Sequence, residues 1–215
     1  MIRQNTTLDK RQQYIVKISA YASKSDAVNL QKNFTEALDA GLNINEIKEA
    51  LVHVHAYAGF PPSIFSLNTF KQVVEQRASS GKKDQLGREN SAVDEKISLY
   101  ERGEKAQMQV TGLSAETLKE IMSFAPIMDV FLKEHLFGDL FDRDVLDYID
   151  RELVTVAVLA ALHHPFVRSH IGGALNVDVT RGQLEELFDI IEKEIGKAEA
   201  DTSRNILTEV LESRK

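Results

Sequence analysis

The chain has 215 residues, 43% of them hydrophobic and 27% charged, which is long enough for a buried core and ordinary for a globular protein. A formal net charge of -7 argues against a nucleic-acid binder, whose contact face is normally basic, but leaves a locally basic pocket for an anionic substrate open. There is no cysteine, so disulfides, thiolate metal centres and thiol nucleophiles are excluded by chemistry.

Only four prolines and eleven glycines interrupt the chain, and no segment alternates with period two between turn signals. The pattern predicts an all-α protein. The polar start over 1–14 has no apolar core of a signal peptide, so a cytoplasmic location is expected, with a removed export signal staying compatible. The longest apolar stretch, 153–162, falls short of the ~20 residues that cross a bilayer, so no membrane partner is expected.

In chain order, a first helix is predicted over 9–23 and a second over 27–40, stopped at Gly41. A third begins at Asn43, which caps it with Glu46 three residues on; its apolar stripe is Ile47, Leu51, Val54 and Ala58. Gly59 and the Pro61-Pro62 pair break it, and a fourth helix covers 63–76. A polar linker spans 78–113, with a modest amphipathic helix over 93–107. Further helices are expected over 115–124 and 127–137, with Pro126 suited to a first turn, followed by a loop over 139–144. The most apolar helix covers 147–162 and is closed by His163-His164-Pro165. Helices over 166–175, 180–195 (capped by Thr180 with Gln183) and 198–211 complete the chain.

The two ends of the chain repeat one another. Leu8-Asp9 matches Leu146-Asp147; Ile15, Val16 and Ile18 match Leu153, Val154 and Val156; Ala37-Leu38 matches Ala174-Leu175; and the Asn43/Glu46 cap matches Thr180/Gln183. This predicts a duplicated helical unit, with one repeat over 1–77, the linker over 78–113 and a second repeat over 114–215. One copy alone would leave an apolar face that the other copy or another subunit covers.

The stretch from Gly138 to Thr155, including Arg143, Leu146-Asp147 and Arg151-Glu152-Leu153, resembles the opening motif of the carboxymuconolactone decarboxylase family. The run from Arg168 through His170 to Asn176, with Val179-Thr180, resembles its second motif, and Tyr57 to Pro61 resembles a third. The resemblance covers 8–77 and 120–211. It implies an all-α fold of the alkylhydroperoxidase-like type, trimeric or higher rings, and decarboxylation of a lactone acid as the namesake activity. A sister group of peroxidases relies on a C-x-x-C pair with a Glu and a His as proton relay. Here His163 and Phe166 stand at the thiol positions, so thiol peroxide reduction is excluded. The relay-like Glu152 and His170 occur in the second copy only, where the first has Tyr14 and Asn33; the Tyr57 motif occurs only in the first. One composite site per chain is therefore expected.

Glu152, Val156, Leu159 and His163 share one helix face, and Glu152 and His163 are about 16 Å apart along it. His170, on the returning helix, is the partner expected to reach Glu152, where a carboxylate would fix the imidazole tautomer. The alternative pairs Glu152 with Arg168 or Arg151. Arg168 is a candidate clamp for a substrate carboxylate, or a structural ion pair. His163, His55, Tyr57 and His53 are candidate substrate contacts, although the histidines equally suit satisfied core or interface positions. His135 suits a dipole or capping role. The phenylalanines, among them Phe60, Phe124, Phe131 and Phe141, suit core or interface. Three readings result. The first is a cofactor-free, metal-free acid/base enzyme acting on a small organic acid by decarboxylation or lactone isomerisation. The second is a non-catalytic oligomeric binding protein. The third is a metal-dependent variant using His163 and His170.

Overall fold

A computed structural model describes residues 6–94 and 96–214. Among them are eleven α-helices, one π-helical stretch and no strand. None of these helices is long and apolar enough to cross a membrane. Residues 1–5 of the polar start, Glu95 within the helix expected over 93–107, and residue 215 lie outside the described residues.

The first four helices are α1 (Lys10–Ser23), α2 (Ala27–Asp39), α3 (Ile44–Ala58) and α4 (Phe60–Ser79). Asp9 caps α1 in a capping box with Gln12, and Asn43 caps α3 in one with Glu46. Each box satisfies amide donors that a helix start otherwise leaves unpaired. Helix α4 starts earlier than the expected 63, because Pro61 and Pro62 sit in its first turn, where a missing N–H costs nothing. Gly59 makes the α3–α4 corner at φ 86, a conformation that L side chains resist.

The polar linker is tethered rather than loose. The carbonyls of Gln85 and Leu86 accept from the amides of Ile44 and Asn45 at the start of α3, and Asp144 accepts from the Ser91 amide and pairs with Arg88. It then delivers α5 (Leu99–Thr111), which starts later than the expected 93 because Ser98 and Glu101 form its capping box. Short helices α6 (Ala115–Ile121) and α7 (Pro126–Phe131) follow. Helix α7 runs directly into a π-helix, Leu132–Phe141, which takes up part of the segment expected to be a loop. A β-carbon on Gly103 of α5 would lie 1.6 Å from the Lys133 carbonyl oxygen, so only glycine allows the two backbones this close. Lys133, almost fully buried, is held by Tyr100, Glu104 and Asp129, which lock α5 to the π-helix.

The last four helices are α8 (Tyr148–Ala161), α9 (Val167–Asn176), α10 (Arg181–Glu194) and α11 (Lys197–Glu212). They repeat the order and caps of α1–α4: Asp147 caps α8 as Asp9 caps α1, Thr180 with Gln183 caps α10 as Asn43 with Glu46 caps α3, and Gly196 precedes α11 as Gly59 precedes α4. Helices α1 and α8 pack along each other at the centre. Helix α1 also contacts α2, α3 and α4, α8 contacts α9, α10 and α11, and α3 crosses onto α8 as α10 crosses onto α1. Every residue of α8 from Asp150 to Ala161 is buried. Its Val154 and Val158 enter the core of α1–α4, and its Leu153, Val156 and Leu159 enter the core of α8–α11, so the helix is apolar all round.

Candidate functional site

A carboxylate and an imidazole meet where α8 and α9 run antiparallel. Glu152 lies in the second turn of α8, fully buried; His170 lies on α9, 7% exposed. The turn at His163 to Pro165 reverses the chain between them. His170 Nδ1 is 3.1 Å from Glu152 Oε2 and 3.2 Å from Oε1. A carboxylate can only accept, so Nδ1 carries the proton, and in the neutral ring Nε2 keeps its lone pair. The alternative pairings of Glu152 with Arg168 or Arg151 are not formed. Arg151 turns to the other side of α8, where Glu49 accepts from it at 3.0 Å and the Arg143 carbonyl at 2.6 Å.

Helix α3 contributes the other wall. The Tyr57 ring meets the His170 ring edge-on, with centroids 4.9 Å apart. Its hydroxyl points inward and is buried with no hydrogen-bond partner. Burial holds the phenol well above its ordinary value, and the Glu152 charge adds to this. One turn earlier, His53 is fully buried: Nε2 lies 3.0 Å from Thr155 Oγ1, and Nδ1 lies 3.4 Å from an Arg151 amino nitrogen. Burial, then the Arg151 charge, pushes His53 well below the usual imidazole value, so it is neutral. His53 has no exposed surface, which matches the satisfied core position that the sequence left open beside a substrate contact. Behind it, Glu49 binds both Arg151 and Arg143, and these two cations hold its carboxyl below the usual range against the opposing effect of burial.

The remaining candidates lie apart from this group. His55 faces outward: its Nε2 is 2.8 Å from His135 Nε2, its ring stacks on Phe60 at 4.6 Å, and His135 reaches Asp139 at 3.3 Å. His135 thus partners another histidine rather than capping a helix. His163 takes a left-handed conformation, φ 55, at the end of α8, and its Nε2 lies 3.2 Å from Thr202 Oγ1 on α11. Half-exposed Arg168 pairs with Glu209 of α11, which is the structural ion pair rather than the free clamp. Among the described residues, no three His, Asp or Glu side chains gather as a metal ion would need, and His163 and His170 have separate partners. Phe166 stands 55% exposed beside the His170 ring. A cleft of about 480 Å³ lies near Asp142, Asp147, Tyr148 and Asp178, and one of about 320 Å³ lies between His163, Val167 and Ile206; the Glu152–His170 pair lines neither.

Sequence reasoning passed over Thr155, Glu49 and Arg143. The available signal was Arg151 itself: an arginine one residue from Glu152 in an otherwise apolar helix needs a buried counter-ion. Its supplier, Glu49, is 102 residues away on α3.

Residues 126–209 match the carboxymuconolactone decarboxylase family. No curated protein matches the chain. The matched region contains all of the π-helix and all of α8 to α10, hence both Glu152 and His170. Tyr57 and His53 lie outside it and reach the same place from α3.

Proposed function

We propose that the chain is a cofactor-free acid/base enzyme of carboxymuconolactone decarboxylase type, acting on a small organic acid by decarboxylation or lactone isomerisation. The observation that carries this reading is the largely buried Glu152–His170 contact, with the Tyr57 ring against the imidazole. Such a contact makes His170 Nε2 a base, and Glu152 would stabilise the imidazolium formed when the base takes a proton. In a decarboxylation, His170 Nε2 takes the proton of the substrate's carboxyl group, the bond from carbon to the departing CO₂ breaks, and the electron pair left on that carbon delocalises into a neighbouring carbonyl as an enolate. The imidazolium then returns its proton to that carbon. Tyr57, a phenol with an uncommitted O–H, suits the developing oxyanion.

The division of labour fits a duplicated chain of repeats 1–77 and 114–215 joined by 78–113. At the positions matching Glu152, His170 and Tyr57, the other copy has Tyr14, Asn33 and Glu194. Glu194 is occupied by the Tyr21 hydroxyl at 2.6 Å and by Lys17 at 3.8 Å, a structural cluster. Exposed Phe60, Ile64, Phe65 and Phe166 suit a homo-oligomer. A non-catalytic binding role is the second reading. It is favoured by one observation: the acid–imidazole pair lines neither the cleft of about 480 Å³ nor that of about 320 Å³ described above.

The test is turnover of a panel of small carboxylic acids and lactones by the native chain, by Glu152→Gln and by His170→Ala. The enzyme reading expects each variant to lose turnover with its helical signal intact. Full activity in both would remove these residues from the mechanism.

A further inference from the structure

We propose that His55 and His135 share one proton between their Nε2 atoms, so that the outer edge of α3 is clasped to the π-helix only while the pair carries a single positive charge. The inference goes beyond the acid/base reading of Glu152 and His170, and it stands whether or not the chain turns over any acid.

The argument is a count of protons on the ring nitrogens. His55 Nδ1 lies 2.5 Å from the Val52 carbonyl oxygen, which can only accept, so this Nδ1 carries a proton. His135 Nδ1 lies 3.3 Å from Asp139 Oδ2, and a carboxylate likewise can only accept. A neutral imidazole has a single N–H, so in two neutral rings both Nε2 atoms would be bare. Yet they lie 2.8 Å apart. The ring centroids are 5.1 Å apart, close to the nitrogen–nitrogen distance plus one ring radius at each end, so the two nitrogens point at each other. Two lone pairs repel in that arrangement, and a third proton between them turns it into an N–H···N hydrogen bond. A metal ion on the same line would need the nitrogens about 4 Å apart, from two bonds of about 2.0 Å each. The gap therefore fits a proton and not a metal.

Asp139, one turn on along the π-helix, is the charged group that faces His135, so His135 is the imidazolium, donating through Nε2 to His55. From α4, the Phe60 ring stacks on His55 at 4.6 Å and adds no charge; on α3 itself, buried His53 is neutral. Deeper in, the His53 ring meets Phe141 of the π-helix with centroids 4.9 Å apart, a contact that keeps the two elements together when the outer pair lets go. Neither histidine of the pair is buried, so protons reach both from solvent. The clasp fails in two directions. As pH rises the bridging proton leaves, and two lone pairs face each other. As pH falls a fourth proton arrives, and two cations face each other. Imidazoles change charge between about pH 5 and pH 8, so closure is confined to the middle of a window set by the pair as a unit.

The experiment reads the imidazole ¹⁵N signals of His55 and His135 by NMR in the full chain, from about pH 4 to about pH 9. Around pH 6.5 the pair is expected to carry three N–H protons, on both Nδ1 atoms and one Nε2, with His135 as the imidazolium. A neutral His135 with a bare Nδ1 would make the same 2.8 Å contact without a shared charge; that result overturns the proposal, and it needs no variant to fold. A double-mutant cycle of His55→Ala and His135→Ala, measured by urea denaturation, reads the clasp itself. The coupling is expected to be on the order of threefold in the unfolding equilibrium constant around pH 6.5, and to vanish at about pH 4 and about pH 9. A coupling that is absent throughout, or equal at all three, overturns the proposal. Failure to find turnover with any acid or lactone counts against the acid/base reading alone, because these signals are read without catalysis.

Discussion

Gly173 abuts the Glu152 carboxylate: a β-carbon on Gly173 would lie 3.3 Å from Oε2 and 3.3 Å from a methyl of Val110. The carboxylate cannot recoil from such a contact without bending its bond to His170. Gly173→Ala sets a helix-propensity gain of about 1 kcal/mol against crowding that costs about 1–3 kcal/mol. The expected result is a folded protein, slightly less stable by urea denaturation, with a lowered kcat. A variant with native kcat would show that the pair tolerates displacement.

Glu49 neutralises Arg151, which has no exposed surface. Glu49→Ala leaves that cation buried and unpaired, and a loss of about 3–5 kcal/mol of stability is expected. Replacing the cation as well, in Glu49→Ala with Arg151→Met, should recover part of the loss. Equal losses in the single and double variants, measured by chemical denaturation, would contradict this account.

Gly103→Ala tests the seam between α5 and the π-helix. The added carbon would sit 1.6 Å from the Lys133 carbonyl oxygen and 2.9 Å from the Gly138 amide nitrogen, both backbone atoms. Backbone cannot rotate away as a side chain can, so the cost should exceed the helix gain of about 1 kcal/mol. A lowered Tm and faster proteolysis within α5 are the expected signs.

Asp150 gives the stability curve a definite slope. Burial raises its carboxyl to about 6 despite Arg11 at 2.7 Å, while in the unfolded chain it titrates near 3.8. Below pH 3.8 both states are protonated and the group contributes nothing. Between 3.8 and about 6 the folded state holds the extra proton, so this residue's contribution falls as pH rises, and above 6 the loss is complete at roughly 3 kcal/mol. Asp150→Asn should remove that decline: its stability minus that of the native protein should grow from pH 4 to 6.5 in denaturation curves. A constant difference would place the ionisation elsewhere.

The architecture was legible because helix signals are local. Asp9, Asn43, Thr180 and Asp147 all cap helices within a residue of the expected starts. The Glu152–His170 contact was legible too, since Pro165 dictates a reversal that brings α9 back along α8. The π-helix was not, because its backbone is shaped by α5 approaching at Gly103, some thirty positions earlier. His53 stayed open between a substrate contact and a core position because its partners, Thr155 and Arg151, are 102 and 98 residues away, beyond any periodicity. Arg168 stayed open between a clamp and an ion pair for the same reason: Glu209 sits 41 residues later, on a helix whose angle to α9 no motif specifies.

The donors from α3 and the acid–imidazole couple from α8 and α9 belong to opposite ends of the polypeptide. Residues 1–77 hold Tyr57 and His53 without the acid–imidazole couple, and their core is completed by Leu146, Val154 and Val158 of the other end, while that other end holds the couple with no phenol opposite it. Under the proposed acid/base reading the site is complete only once the two ends have docked, and a variant that loosens α3 from α8 is expected to lose turnover before it unfolds.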